Sequence, residues 1–132
     1  MRSIPLGAKG SFKLRVRAEH LASRFKDPTL PNVLATPVMI LAMENAALDA
    51  IRGYLDAGES AVGTAVDVRH LAATPLGHEV RAEAEVTKVD GRHIEFKVSA
   101  RDEIEEIGRG THHRMIVDMG RVNERLARKP PA

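Results

Sequence analysis

Hydrophobic residues follow two different periods along this chain, and the boundary between them lies near Gly58. From Pro37 to Ile51 the sequence reads P-V-M-I-L-A-M-E-N-A-A-L-D-A-I, in which only Glu44, Asn45 and Asp49 are polar. A helix apolar almost all round belongs inside a protein. Thr36 has N-cap chemistry and Pro37 suits the first helical position, where its missing N–H costs nothing. The predicted helix runs from Val38 to Tyr54 and ends near Gly58. Asn45, Asp49 and Arg52 recur at i, i+4 and i+7 and share one narrow polar stripe. Glu44 lies off that stripe, between Ile40 and Leu41 one turn before it and Ala47 and Leu48 one turn after. A carboxylate in such a place is costly unless it has a partner or a task.

Outside the helix the period is two. Ser11 to Ala18 alternates, with Phe12, Leu14 and Val16 on one face, which predicts a half-buried strand. His20 to Leu34 is broken by Asp27-Pro28 and Leu30-Pro31, and predicts a short helical turn followed by an irregular loop over a site. Ala61 to Leu71 places Val62, Thr64, Val66, Val68 and His70 on one face of a strand. Thr74 to Gly77 is a turn. Glu79 to Val86 and Ile94 to Ala100 alternate cleanly around the hairpin signal Asp90-Gly91. Ile107 to Met119 is a last strand, with Gly108 and Gly110 marking a bulge or a close approach. Arg121 to Lys129 is a short basic helix.

A strand, a loop, a buried helix and four more antiparallel strands make an α+β domain. A sheet with alternating strands must cover its inner face, and the helix is the one candidate. A sheet curled round a central helix is the hotdog arrangement. The helix is apolar on more sides than one sheet covers, which predicts a homodimer. Residues 1–132 form one domain, with 1–10 as an N-terminal extension and 120–132 as a short C-terminal helix and tail.

Composition narrows the function. The chain has 132 residues, 43% hydrophobic, with no Cys, no Trp, one Tyr and three Phe. The core must be built from Val, Ile, Leu, Met and Ala. Disulfides, thiolate catalysis and thiolate metal sites are excluded. The net charge of +2 is mild, and its basic residues interleave with acids except in the tail. Stacking aromatics on a basic face are lacking, so nucleic acid is not an expected partner. No apolar stretch is long enough to predict a membrane span, and Met1 to Gly10 lacks the apolar region of a secretory signal. The expected location is cytoplasmic.

Three polar groups stand where apolar ones would be cheaper: Thr36 at the helix start, Glu44 two turns on, and His70 on the inward strand face. The helix N-terminus offers unpaired N–H groups and positive potential to an anion or a carbonyl oxygen. Burial raises a carboxylate's pKa and a cationic neighbour lowers it, a part His70 could play. Such a set suits acyl transfer or hydrolysis. The plainer alternative makes Thr36 a simple N-cap, Glu44 a backbone-bonded carboxylate and His70 a satisfied core histidine. His112 and His113 are strand neighbours that point to opposite faces, which argues against a metal site. His78 and His93 flank turns and are expected in solvent. Lys88, Arg92 and the tail arginines are more simply solvated than phosphate-binding.

Leu34-Ala35-Thr36-Pro37 with Met43-Glu44, Ser60 to Thr64, the run Val68 to Gly77 and the run Glu106 to Arg114 together resemble the hotdog-fold thioesterases of the fluoroacetyl-CoA thioesterase type. The likeness extends from about Leu14 to Lys129. It implies a homodimer, its central helices packed between the sheets, and an acyl-CoA bound near the interface. Whether dimers pair into tetramers is left open. It implies no cofactor, coenzyme A arriving as part of the substrate. Thr36, Glu44 and His70 match the family's catalytic threonine, glutamate and histidine. Gly63 matches a glycine whose N–H polarises the thioester carbonyl. Glu44 would attack the acyl carbon or activate water; Thr36 would be its hydrogen-bonding partner or the nucleophile; His70 would orient the carboxylate or protonate the thiolate. One departure concerns selectivity: Leu30 stands where the fluoroacetyl-specific member has a lid aromatic. The expected activity is hydrolysis of a short- or medium-chain acyl-CoA. A dimer that binds acyl-CoA without cleaving it is the alternative.

Overall fold

The computed structural model describes residues 1–132. Five strands, β1 (Lys9–Arg15), β2 (Glu59–His70), β3 (Glu79–Asp90), β4 (His93–Arg101) and β5 (Glu106–Asp118), form one sheet in the order β1-β3-β4-β5-β2. Every neighbouring pair is antiparallel. Three helices accompany them: α1 (Ala22–Phe25), α2 (Thr36–Ile51) and α3 (Met119–Arg128). A 3₁₀ turn, Arg52–Tyr54, follows α2, so the predicted helix ends as expected but tightens in its last turn. The result is the hotdog arrangement. No helix is long and apolar enough to cross a membrane.

The alternation of β3 and β4 has the expected outcome. Val80, Ala82, Ala84 and Val86 are buried, as are Ile94, Phe96, Val98 and Ala100, and the residues between them face outward. Small alanines on these strands let α2 sit close. Gly10 takes this furthest: a Cβ there would overlap the Ala46 carbonyl oxygen and the Ala50 nitrogen of α2. Helix and strand therefore touch backbone to backbone. Gly108 and Gly110 mark close approaches too, the first against the Met39 side chain and the second against the Asp67 and Val68 backbone.

Val38, Met39, Ala42, Met43, Ala46, Ala47, Ala50 and Ile51 of α2 are buried. The helix packs mainly on β1, β3 and β4 and much less on β2. Consequently its flank nearest β2 is open, with Leu41 49% exposed and Val66, on the inward face of the edge strand, 43% exposed.

Two expectations need correction. The N-cap of α2 is Ala35, and Thr36 is already inside the helix with its hydroxyl not used as a cap. The predicted single face of Val62, Thr64, Val66, Val68 and His70 is broken by a register shift between Gly63 and Ala65. Gly63 pairs with Arg114, and Val66 pairs with His112, so one extra residue reverses the side-chain parity of the strand. Gly63 and His70 are an odd number of residues apart and would face opposite sides of a regular strand. The shift brings both to the helix side.

Candidate active site

The N-terminus of α2 is set by the loops around it. Leu34 N–H donates to the Thr74 carbonyl at 2.8 Å and Ala35 N–H to the His20 carbonyl at 2.9 Å. Thr74 is fully buried, and its hydroxyl donates to Asp102 Oδ2 at 2.9 Å. Asp102 in turn accepts from the Ile104 and Glu105 N–H groups through Oδ1. The turn after β2 thus fixes the segment that ends in Thr36.

Thr36 Oγ1 lies 2.8 Å from His70 Nδ1, joined by a hydrogen bond. Loss of hydration on burial lowers the His70 pKa below the ordinary histidine value, with the Ala72 backbone pulling the other way. The ring is therefore neutral at pH 7, and its Nε2 has no hydrogen-bond partner. The hydrogen bond can run either way: the Thr36 O–H donates to an unprotonated Nδ1, or Nδ1–H donates to Oγ1 and frees the hydroxyl hydrogen for another acceptor. Beside it, Pro37 has no N–H and the Val38 and Met39 N–H groups donate to the Ala35 carbonyl at 3.0 and 3.2 Å, which leaves the Thr36 N–H at the helix start.

Glu44 lies elsewhere. Eight residues separate it from Thr36, so the two are about 12 Å apart along the helix axis at 1.5 Å per residue. Its carboxylate meets neither backbone nor His70, contrary to both sequence expectations. Instead Oε2 accepts from Arg114 Nη1 on β5 at 3.3 Å. The carboxylate side chain is 37% exposed and the guanidinium side chain 8%. Arg114 also donates through Nη2 and Nε to the Ala61 carbonyl, at 2.7 and 3.3 Å. His112 is buried beside it, with Nε2 3.0 Å from Arg114 Nη1 and Nδ1 2.8 Å from the Ala65 carbonyl. Gly63 completes this end: a Cβ there would lie 2.9 Å from Glu44 Oε2 and 3.5 Å from both Arg114 Nη1 and His112 Cε1. A side chain at position 63 would push directly on the carboxylate.

The four central residues singled out from sequence therefore fall into two groups. Thr36 with His70 occupies the start of α2, and Glu44 with Gly63 occupies its middle. Leu30 lies in the exposed loop between α1 and α2, near Phe25, which is also exposed. Arg114 was not singled out, and His112, weighed only as a metal ligand and otherwise expected in a structural or surface role, is buried beside it. Their signal lay in the parity of β5, where Gly108, Gly110, His112, Arg114 and Ile116 share the inward face. That parity puts a cation on the inward face of β5; which carboxylate it meets depends on how the sheet packs on α2. His113 points outward and meets Glu95 at 3.3 Å, as expected of the second histidine. His78 was expected in solvent but is half-buried, with an unpartnered Nδ1, because the turn at Gly77 folds back against Val16. Arg92 is tied to Glu59 at 3.2 Å. No group of three or more His, Cys, Asp or Glu side chains is arranged to hold a metal ion.

Comparison with known proteins places the chain in a family. Residues 16–120 match the family model described as "Fluoroacetyl-CoA-specific thioesterase". A fluoroacetyl-CoA thioesterase of Streptantibioticus cattleyicolor is 43% identical over 102 residues, 77% of this chain and 73% of that protein. A solved structure of a fluoroacetyl-CoA thioesterase superimposes with a TM-score of 0.92 at 34% identity, covering 98% of this chain and 99% of that one. A phenylalanine-to-alanine mutant of such an enzyme, in complex with fluoroacetate and CoA, superimposes with a TM-score of 0.85 at 35% identity over 90% and 99% of the two chains. By the extent of the family match and the identity to these relatives, the chain belongs to the fluoroacetyl-CoA thioesterase family and is a hotdog-fold thioester hydrolase.

Proposed function

We propose that this protein hydrolyses a short- or medium-chain acyl-CoA to the free acid and coenzyme A, in a site that two copies of the chain build together. The observation that carries the reading is the Thr36–His70 hydrogen bond at 2.8 Å, set at the N-terminus of α2. The structure of a family relative holding fluoroacetate and CoA supports a small acyl group and a CoA thioester.

The second copy follows from distance and exposure. A carboxylate about 12 Å along the helix from Thr36 cannot serve the same thioester, since reacting atoms must come within about 3–3.5 Å. Yet Glu44 faces outward on the open flank of α2, beside the exposed Leu41 and Val66. Strand β2 is a sheet edge with twelve residues, a natural template for pairing. Antiparallel pairing of α2 with its copy places the Thr36 end of one helix near the Glu44 segment of the other.

In that site the Thr36 N–H at the start of α2 and the Gly63 backbone polarise the thioester carbonyl. The Glu44 carboxylate, paired with Arg114, attacks the acyl carbon or takes a proton from the attacking water. Either route places negative charge on the carbonyl oxygen and expels the thiolate. In direct attack the acyl group passes to Glu44 as an anhydride, which water then hydrolyses to the free acid and the restored carboxylate; in water attack the acid forms at once. In both, the proton lost by water ends on the thiolate to give the thiol. Thr36, bonded to neutral His70, donates to the oxygen that gains charge. Leu30 and Phe25, on the loop before Thr36, border the acyl group and set its size. No cofactor takes part.

Thiol release from a series of acyl-CoAs, from fluoroacetyl and acetyl to octanoyl, tests the reading. Turnover of the shorter members and a loss of about 10²-fold or more in Glu44→Gln are expected, the scale for removing a general base. Tight binding of every acyl-CoA without turnover would instead make the dimer a carrier and overturn the assignment.

A further inference from the structure

The proposed chemistry at Glu44 leaves open what aims its carboxylate. The side chain sits on a helix turn that is one-third exposed, and a free glutamate there would sample several rotamers. Its charged neighbours are few. From β5 it faces Arg114 and His112; from β2 it faces Gly63, which carries no charge. Asp49 and Arg52 occupy another stripe of α2, with Asp49 bonded to Ser11 N–H.

Arg114 is unusually well held. Two of its nitrogens donate to the Ala61 carbonyl, which lies two residues before Gly63 on the same strand. Its third nitrogen, Nη1, divides its two hydrogens between Glu44 Oε2 and His112 Nε2. The histidine's role follows from its partners. The Ala65 carbonyl can only accept, so His112 Nδ1 carries the proton. Arginine can only donate, so Nε2 offers its lone pair. His112 is thus neutral with one defined tautomer, and burial lowers its pKa in the same sense, helped by the Arg114 charge. Phe96 stacks on the ring at a centroid distance of 5.9 Å. Ala65 stands at the register shift of β2, so the irregularity that turns Gly63 inward also supplies the carbonyl that orients His112. Bonds to Ala61 and His112 fix the plane of the guanidinium, and an Nη1 hydrogen points at the carboxylate.

We propose that Arg114 is the positioning residue for Glu44, and that neutral His112 positions Arg114. The pair binds Oε2 and leaves Oε1 free to meet the acyl carbon or the water. This inference rests on the acyl-CoA hydrolase reading, with Glu44 at the reacting atoms. A lysine in place of Arg114 keeps the charge and loses the fixed plane, so charge and aim can be separated.

The test is steady-state thiol release by the dimeric full chain and its variants, with folding followed by thermal melting. Arg114→Ala is expected to lower kcat about 10²-fold, the scale of a 1 Å misplacement, with KM changed less than about threefold. Guanidinium ion at tens of millimolar is expected to restore kcat about tenfold, and urea, its uncharged mimic, to restore none. Arg114→Lys falls between the wild type and Arg114→Ala. His112→Phe keeps the stack on Phe96, removes the acceptor, and lowers kcat about tenfold; it supplies the answer if Arg114→Ala does not fold. In a Glu44→Gln background, Arg114→Ala costs no further activity, because the two residues then act through one another. Full kcat in a folded Arg114→Ala or His112→Phe, or an undiminished Arg114 effect in the Glu44→Gln background, overturns the positioning role while wild-type turnover upholds the hydrolase. Absence of turnover in the wild type overturns both.

Discussion

Replacement of Gly63 by alanine separates the catalytic demand on β2 from the structural one. The added Cβ would stand 2.9 Å from Glu44 Oε2, against an ordinary carbon–oxygen contact of about 3.4 Å. Arg114 Nη1 and His112 Cε1, each at 3.5 Å, would tolerate it. The carboxylate must therefore retreat by roughly half an ångström from the place where Arg114 holds it. Backbone strain plays no part, because Gly63 does not have a positive φ. Alanine at a compatible position also trims the freedom of the unfolded chain, worth about 0.4–1 kcal/mol in favour of folding. That gain offsets most of the contact cost, so stability should change by less than about 1 kcal/mol. Catalysis has no such compensation. A displacement of this size should lower kcat by about tenfold, scaled from the roughly 10²-fold loss for a full ångström. Thiol-release kinetics alongside urea denaturation would read both quantities on the same sample. Full kcat in a stable Gly63→Ala dimer would refute the idea that Glu44 works where it is seen. A large loss of stability would refute the claim that glycine is needed here for the site.

Other outcomes follow from the same structure. Gly10→Ala sets a methyl group against the Ala46 and Ala50 backbone, where nothing flexible can yield; it should cost about 2–3 kcal/mol, visible as a lower urea midpoint. The pKa values of His70 and His112 are both lowered by burial, so each favours the fold when neutral. Their contribution is complete above the unfolded value near 6.5 and is lost as pH falls from there through the lowered folded values; denaturation midpoints should drop as pH falls below about 6.5, and a flat profile there would contradict it. Val66→Lys places a charge on the open edge beside Leu41; sedimentation should show monomers, and activity should vanish with the dimer. A monomer with undiminished kcat would show that one chain holds the whole site.

Much of this protein is written in local pattern. The apolar run from Pro37 to Ile51, the alternation of β3 and β4 and the Asp90-Gly91 turn specify one long helix and an antiparallel sheet, because burial rewards period and turns need particular residues. That Thr36 and His70 form one unit was also within reach, since both sit in motif-like runs at element ends. The inward parity of β2 was not. A single unpaired residue at Thr64 reverses it, and such a shift depends on how β2 meets β5 rather than on any property of residues 61–71 alone.

The partner of Glu44 shows the same division. The apolar pattern of residues 37–51 already puts a carboxylate on a buried helix, where it needs company. That its company is Arg114, seventy residues away, and not His70, depends on how the sheet packs against that helix. The reason is geometric. Helix rise separates Thr36 from Glu44 by about 12 Å, while sheet pairing sets Arg114 opposite Gly63, directly beneath the carboxylate. Hydrophobic period is a local property that a chain carries with it. Which charge meets which is settled by register and by the packing of one element on another, after the fold has formed.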